Sequence, residues 1–435
     1  MKLLNKLKSN SLYPFHMPGH KRNSNFNIPG AEIDITEING FDNLHNPNGI
    51  LLDLESRYKI LYKSKKSILS VNGSTAGILA SISALCNEND EIIIARNCHK
   101  SVYNACYINR LNVHYIVPEY NSTYGFFGKV TQEQIDDAVK KYPNSKAVVI
   151  TSPTYEGIVS YVNCPLPLII DGAHGAHFGF YDKFPELQKG DIVINSLHKT
   201  LPALTQTAVI NIYNENFADK IKQYMDIYET SSPSYVLMCS IDICADFLES
   251  CNDKYELLFA QINDLKSELS NLRNINFIEN DDFSRIVISH NNISGYEFAD
   301  ILRKKYSIEC EMASEDYIVL IASCGDTEKG FSSLKISLKE IDSSDCGYRH
   351  TNLTFSLPYQ AMPIYENKKT VKTDLKQAEN KVCAEYIYAY PPGIPIIVPG
   401  EIITEELVNE IQRNYSHYTS DSGLLPHKIL TNELS

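Results

Sequence analysis

Lys199 lies in the segment Ser196-Leu197-His198-Lys199-Thr200, directly after the β-branched run Asp191–Asn195. A lysine amine just past a strand end can form a reversible imine with a carbonyl, the linkage that holds an aldehyde cofactor. Taken alone, it reads as a surface lysine. Asp171 changes that balance: it ends the apolar run Leu166–Ile170 and is followed by Gly172-Ala173-His174-Gly175. A carboxylate there can pair with a pyridinium nitrogen and keep the ring protonated as an electron sink, or it can cap a helix or turn. Asn72-Gly73-Ser74-Thr75-Ala76-Gly77 offers small residues, helix-start N–H groups and two hydroxyls, which suit either a phosphate cradle or a simple capped helix. It fits neither GxGxxG nor GxxxxGK[ST], so dinucleotide and P-loop readings fail. His99, in Arg96-Asn97-Cys98-His99-Lys100, is placed to stack on a planar cofactor.

These four segments need a common scaffold. Ser67–Val71, Glu91–Ala95, Val113–Val117, Ala147–Thr151, Leu166–Ile170, Asp191–Asn195 and Thr207–Ile212 read as buried strands, with helical patterns such as Thr75–Leu85 and Thr131–Lys141 between them. Strand–helix alternation predicts a mostly parallel sheet covered on both faces, with ligands beyond the carboxyl ends of the strands. The four segments fall there. Residues Ala218 to Leu272 read as long helices. A small α/β unit follows, with strand Ser284–Ser289, helix Gly295–Lys305, strands Glu309–Met312 and Tyr317–Ala322, and helix Thr327–Ile341. Asp342–Asn352 reads as a linker, and Tyr390-Pro391-Pro392-Gly393-Ile394-Pro395 as turn-rich chain.

The 435 residues exceed what one hydrophobic core serves, so two or three domains are expected. A net charge of −13 disfavours nucleic acid and anionic membrane as partners. The N-terminus does not read as a secretory signal, and no run approaches the ~18–20 apolar residues of a membrane span. The 11 cysteines, Cys346 among them, are odd in number and without CxxC spacing, which implies reduced thiols in a cytoplasmic protein and no metal site.

The segments, in this order, resemble the ornithine/lysine/arginine decarboxylase family. The resemblance runs from His16-Met17-Pro18-Gly19-His20-Lys21 through the segments above and Ser152-Pro153-Thr154-Tyr155-Glu156-Gly157. It continues over Thr230-Ser231-Ser232-Pro233-Ser234-Tyr235 to Tyr390–Glu401, and its length looks like the short bacterial form without a wing domain. It implies a pyridoxal 5'-phosphate (PLP) enzyme of the type I, aspartate-aminotransferase-like α/β fold. The implied parts are an N-terminal segment (1–60), a three-layer αβα large domain (61–270), a small α/β domain (271–345), and a linker and C-terminal domain (346–435). On this reading Lys199 is the Schiff-base lysine, Asp171 partners the pyridine nitrogen and His99 stacks on the ring. Ser74, Thr75, Ser196 and His198 contact the phosphate, and His174 lies near the 3'-oxygen and substrate. Thr230 and Ser231 reach a neighbouring subunit's cofactor in a homodimer, and Glu401 takes the substrate's distal cation. The implied reaction is decarboxylation of arginine, lysine or ornithine, feeding polyamine metabolism.

Three departures stand out. Gly172 replaces a glutamate that many relatives carry, and Pro202 sits where a small residue is preferred. Only eight residues, Ile158 to Pro165, separate Gly157 from the next strand, where a parallel crossover takes ~10–12 or more. The expected consequence is a lost helix and an exposed sheet face beside the cofactor strand, which raises a catalytically weakened PLP-binding homologue as one alternative. An aminotransferase is the other. Such enzymes clamp the substrate α-carboxylate with a small-domain arginine, whereas Glu309–Asp345 contains none, Arg303 is on the preceding helix, and Arg285 sits in a strand with no clamp expected. That absence favours decarboxylation, because binding the departing carboxylate would deepen the ground state.

Overall fold

The computed structural model describes residues 2–344, 355–366, 369–391 and 393–433. Most of the expected linker, with Cys346 and Pro392, therefore lies outside the described residues.

Seven strands form the central sheet, in the spatial order Lys66–Ser70, Ala208–Ile212, Ile192–Ser196, Leu168–Asp171, Val148–Thr151, Glu91–Ala95, Asn112–Ile116. All seven match the runs legible in the sequence, with boundaries shifted by a residue or two. Five run parallel as neighbours, while Ala208–Ile212 pairs antiparallel with the strands on both its sides. Side-chain alternation divides the sheet between two cores. Ile68 and Ile210 join the cluster beneath helices Gly73–Leu85 and Ala218–Tyr228, whereas Leu69 and Val209 join the one beneath Ile50–Leu61 and Tyr235–Leu248.

One buried polar row crosses this apolar sheet. Ser67 Oγ donates to Asn211 Oδ1 at 2.7 Å, Asn211 Nδ2 to Asn195 Oδ1 at 3.0 Å, and Asn195 Nδ2 to the Gly172 carbonyl at 2.9 Å. It passes over three neighbouring strands and ends on the peptide that follows Asp171. A buried chain of this kind is stabilising only when every member is satisfied, so it holds the Asp171–Gly172 turn in one place. It also accounts for Gly172: an added Cβ would meet Asn195 Nδ2 at 3.0 Å and Val193 Cγ1 at 3.1 Å, so a glutamate would displace the ladder. Pro202 is exposed and disturbs no packing.

The crossover from Ile158 to Pro165 contains no helix, as its length requires. The sheet beside it is nevertheless covered, contrary to expectation: Val148, Val149, Ile150 and Ile169 are fully buried. Side chains take over the hydrogen bonding a helix would have supplied. Ser160 Oγ accepts from Val130 N at 2.9 Å, Gln132 exchanges two bonds with the Asn163 backbone at 2.8 and 2.9 Å, and Asp281 accepts from Val159 N at 2.8 Å. Val159 and Val162 are buried, each in one of the two cores.

Residues beyond the sheet form smaller units. Four antiparallel strands, in the order Ile275–Ile278, Arg285–His290, Ile318–Ile321, Met312–Ala313, carry helices Gly295–Tyr306 and Glu328–Ile341. The first was not legible as a strand, because it is only four residues long and its buried residues, Ile275 and Ile278, do not alternate with exposed ones. The C-terminal part holds a two-stranded pair, Thr370–Asp374 with Lys428–Asn432, and a three-stranded sheet built on Ile387–Ala389.

Candidate active site

Each predicted segment lies at the carboxyl end of a strand of the central sheet. Lys199 sits in the single helical turn Leu197–Thr200 that follows Ile192–Ser196. Its Nζ is 2.9 Å from His174 Nε2, in the turn after Leu168–Asp171. Asp171 is buried, its carbonyl accepting from Ser152 N at 3.1 Å and its Oδ1 from Ala173 N at 3.2 Å. Burial holds the Lys199 amine below its ordinary pKa against the raising effect of Asp171, and Arg285 adds to the lowering.

His99 caps helix Lys100–Ile108: its Nδ1 accepts from Ser101 N at 3.1 Å, which leaves the ring proton on Nε2. Burial lowers its pKa, with Asp171 acting in the opposite direction. His99, Thr75 and Lys100 line a cleft of about 290 Å3 closed by Tyr388, Tyr390 and Gly393 of the C-terminal part.

The segment from Asn72 to Thr75 begins helix Gly73–Leu85 without a side-chain cap, so the N–H groups that follow Gly73 in the first turn remain for a ligand. Gly73 has φ +75, its N–H donates to the Gln206 carbonyl at 2.7 Å, and an added Cβ would meet nothing within 4 Å, so the space above the turn is open. Ser196 Oγ donates to Ser74 Oγ at 2.9 Å, joining two strand ends in one hydroxyl cluster. His198 Nδ1 lies 3.1 Å from the Thr207 carbonyl, to which it donates. An uncapped helix start with convergent hydroxyls, a lysine and a buried carboxylate is a donor set that fits PLP. Thr230 and Ser231 are exposed on the loop after Glu229, which itself accepts from Ser70 Oγ at 2.8 Å and Val71 N at 3.2 Å beside the same turn.

Glu401 does not belong to this group. It is fully buried, its Oε2 accepting from Val398 N at 2.9 Å and from Arg96 Nη2 at 3.2 Å. Arg96 also donates to the Pro395 and Ile396 carbonyls at 2.8 and 3.2 Å. With Oε2 committed to Arg96 and Val398 and the side chain shut from solvent, Glu401 is not presented to a ligand at the Lys199 cluster, and the expected role in distal recognition is corrected.

Residues that sequence reasoning passed over complete the site. Arg285, at the start of its strand, is fully buried and places Nη2 3.2 Å from His174 Nδ1 and 3.2 Å from the His174 carbonyl. The expectation that a strand position kept it out of the site is corrected. Strand Arg285–His290 begins beside Gly157, where φ is +90 and a Cβ would meet Arg285 Cγ at 2.9 Å. That glycine was a visible signal of close approach; its partner, more than a hundred residues away, was not. Arg303 instead pairs with Glu309 and Asp300 on the surface. The Tyr155 ring lies 4.5 Å from the His174 ring, and its hydroxyl bonds Glu311. Asp282 is 4.0 Å from Arg285 Nε, 3.1 Å from His177 Nε2 and accepts from Ser284 Oγ at 2.7 Å.

A sheet of this order with a lysine, a buried carboxylate and an open anion cradle at its strand ends defines a PLP-dependent enzyme of the type I fold. The chain belongs to the Orn/Lys/Arg decarboxylase family, matching its major domain over residues 1–309 and its C-terminal domain over 345–418. It is an amino-acid decarboxylase of that PLP-dependent group. It is 31% identical to the uncharacterized protein YaaO of Bacillus subtilis (94% of this chain, 93% of the relative) and 28% identical to the arginine decarboxylase of Bacillus subtilis (97% and 93%). Among solved structures it is similar to the Francisella novicida lysine decarboxylase, with TM-score 0.82 at 18% identity over 99% of this chain and 80% of that one. No helix among the described residues is long and apolar enough to cross a membrane.

Proposed function

We propose that this protein decarboxylates a basic amino acid, arginine before lysine or ornithine, to the corresponding amine, acting as a cytoplasmic homodimer in polyamine metabolism. The observation that carries the reading is Lys199 Nζ 2.9 Å from His174 Nε2, with Asp171 at the end of the neighbouring strand. Arginine comes first because the Bacillus subtilis relative, at 28% identity over nearly the whole chain, bears that name.

Lys199 would hold PLP, and Asp171 would face its ring nitrogen. Ser74, Thr75, Ser196 and the Gly73 helix start would take the phosphate. His198 would lie beside them, its Nδ1 donating to the Thr207 carbonyl and its pKa lowered by burial, with Lys199 adding to the lowering. His99 would cover one face of the ring, and Thr230 and Ser231 would reach the second subunit's site. When bound, PLP supplies an electron sink for the Cα–carboxylate bond. Burial of Asp171, His174 and Arg285 excludes water, and His174 Nε2 together with Lys199 Nζ holds the proton that must reach Cα.

Purified protein incubated with PLP and arginine, lysine or ornithine should release CO2 and amine in equal amounts. Absorbance near ~420 nm should vanish in Lys199→Ala. Amino transfer to a keto acid without CO2 would overturn decarboxylation, and no cofactor binding would overturn the site.

A further inference from the structure

Both ring nitrogens of His174 face groups usually written as donors: Arg285 Nη2 at 3.2 Å from Nδ1, and Lys199 Nζ at 2.9 Å from Nε2. A neutral imidazole carries one proton and can accept at only one nitrogen. Arginine is protonated at every accessible pH and has no acceptor atom, so the choice is made at its end. Nδ1 must accept from Arg285, the proton must sit on Nε2, and Lys199 must receive it through the lone pair of an uncharged amine.

We propose that Arg285 is a positioning residue that locks His174 in the Nε2–H tautomer and thereby holds Lys199 as a free amine, ready to take the cofactor's carbonyl. The proposal rests on the reading of Lys199 as the cofactor lysine.

The surroundings support a fixed, under-neutralised arginine. Arg285 is fully buried, and its Nε and Nη1 have no hydrogen-bond partner. Its nearest carboxylate, Asp282, stands 4.0 Å away and is committed to His177 and Ser284. The second Nη2 bond, to the His174 carbonyl at 3.2 Å, ties the guanidinium to the same residue twice and fixes the ring's rotation. Gly157, at φ +90, leaves the space for the arginine stem. Among the charged groups around the Lys199 amine, Arg285 and burial favour the neutral form, while Asp171 and Glu311 favour the charged one. His174 is itself held well below the ordinary histidine range by burial, Lys199 and Arg285, which keeps it a single-proton ring.

Two readouts on PLP-free, full-length protein test this without turnover. In 15N-histidine-labelled protein, long-range 1H–15N spectra report which nitrogen of His174 carries the proton, the signal being assigned by its loss in His174→Gln. The expected result is a bare Nδ1 and a protonated Nε2 in the wild type, with mixed tautomers in Arg285→Met. In the second readout, pyridoxal 5'-phosphate is trapped on Lys199 by borohydride across pH and located by peptide mass. Trapping should move up by about 1 pH unit or more in Arg285→Met, because a neighbouring positive charge is gone. Arg285→Lys, which keeps the charge, should restore the wild-type pH. A wild-type His174 protonated on Nδ1 overturns the proposal, even if Arg285→Met fails to fold. Unchanged tautomer and trapping pH in a folded Arg285→Met overturn it as well. Failure to trap Lys199 in the wild type would overturn the cofactor-lysine reading instead, and the tautomer measurement stands apart from it.

Discussion

Arg96 and Glu401 form an ion pair at 3.2 Å with both side chains shut away from solvent, one at the end of a central strand and the other in the C-terminal part of the chain. The pair fastens the C-terminal segment over His99, where Lys100 N also donates to the Gly393 carbonyl at 3.0 Å. It thus closes one wall of the cleft beside the candidate cofactor site. Removing one partner leaves the other charged and buried, so Glu401→Ala should cost about 3–5 kcal/mol, read by denaturant unfolding. Glu401→Gln, if folded, should leave the KM for arginine, lysine or ornithine unchanged. A selective rise in KM would return Glu401 to substrate recognition.

Asp282 sets an acid limit on stability. Burial alone would raise its pKa, but His177, Arg285 and Ser284 together hold it at about 2, below its ordinary value of 3.8. A depressed carboxylate contributes stability that is fully present above its unfolded pKa and lost as pH falls through the folded one. The contribution is about 2 kcal/mol by the usual conversion. Stability measured from pH 5 to pH 2 should fall less steeply in Asp282→Asn than in the wild type, and parallel curves would show that the aspartate plays no such part.

Gly157 should tolerate no side chain. Its φ of +90 and the 2.9 Å approach of Arg285 Cγ to an added Cβ act together. Gly157→Ala should lose about 1–3 kcal/mol in thermal unfolding, and decarboxylation should fall further than the folded fraction because Arg285 is displaced. Activity that merely tracks the folded fraction would place the effect in the fold alone.

The polar ladder that ends on Gly172 is accessible to the same approach. Asn195→Ala strands the Asn211 amide and the Gly172 carbonyl, at a cost of about 1–3 kcal/mol. Because the Gly172 peptide adjoins Asp171, PLP affinity measured by equilibrium dialysis should weaken as well. Asn211→Ala, one strand further away, should cost comparable stability and change that affinity less.

Ser196→Ala removes the hydroxyl that joins Ser74, at 2.9 Å, across two strand ends. Its predicted effect is weaker retention of PLP on dialysis, with unfolding in the absence of cofactor changed by less than about 1 kcal/mol. A large loss of stability in the cofactor-free protein would assign the bond to the fold.

Much of this protein follows from its sequence alone. The seven strands and the placement of Lys199, Asp171, His99 and the Ser74–Thr75 turn beyond their ends are local consequences of apolar runs and turn chemistry, whose information lies within about ten residues. The tertiary structure decided what depends on contacts between distant segments. Only packing could bring Arg285 to His174, because strand Arg285–His290 joins the site through a different sheet. Only packing could spend Glu401 on Arg96, because a carboxylate's partner is set by which cation shares its buried space. The short crossover shows the same division: its length ruled out a helix, but whether the sheet beside it would be bare depended on Gln132 and Asp281 arriving from two other segments to satisfy its backbone, and on its own Ser160 reaching back to Val130 N.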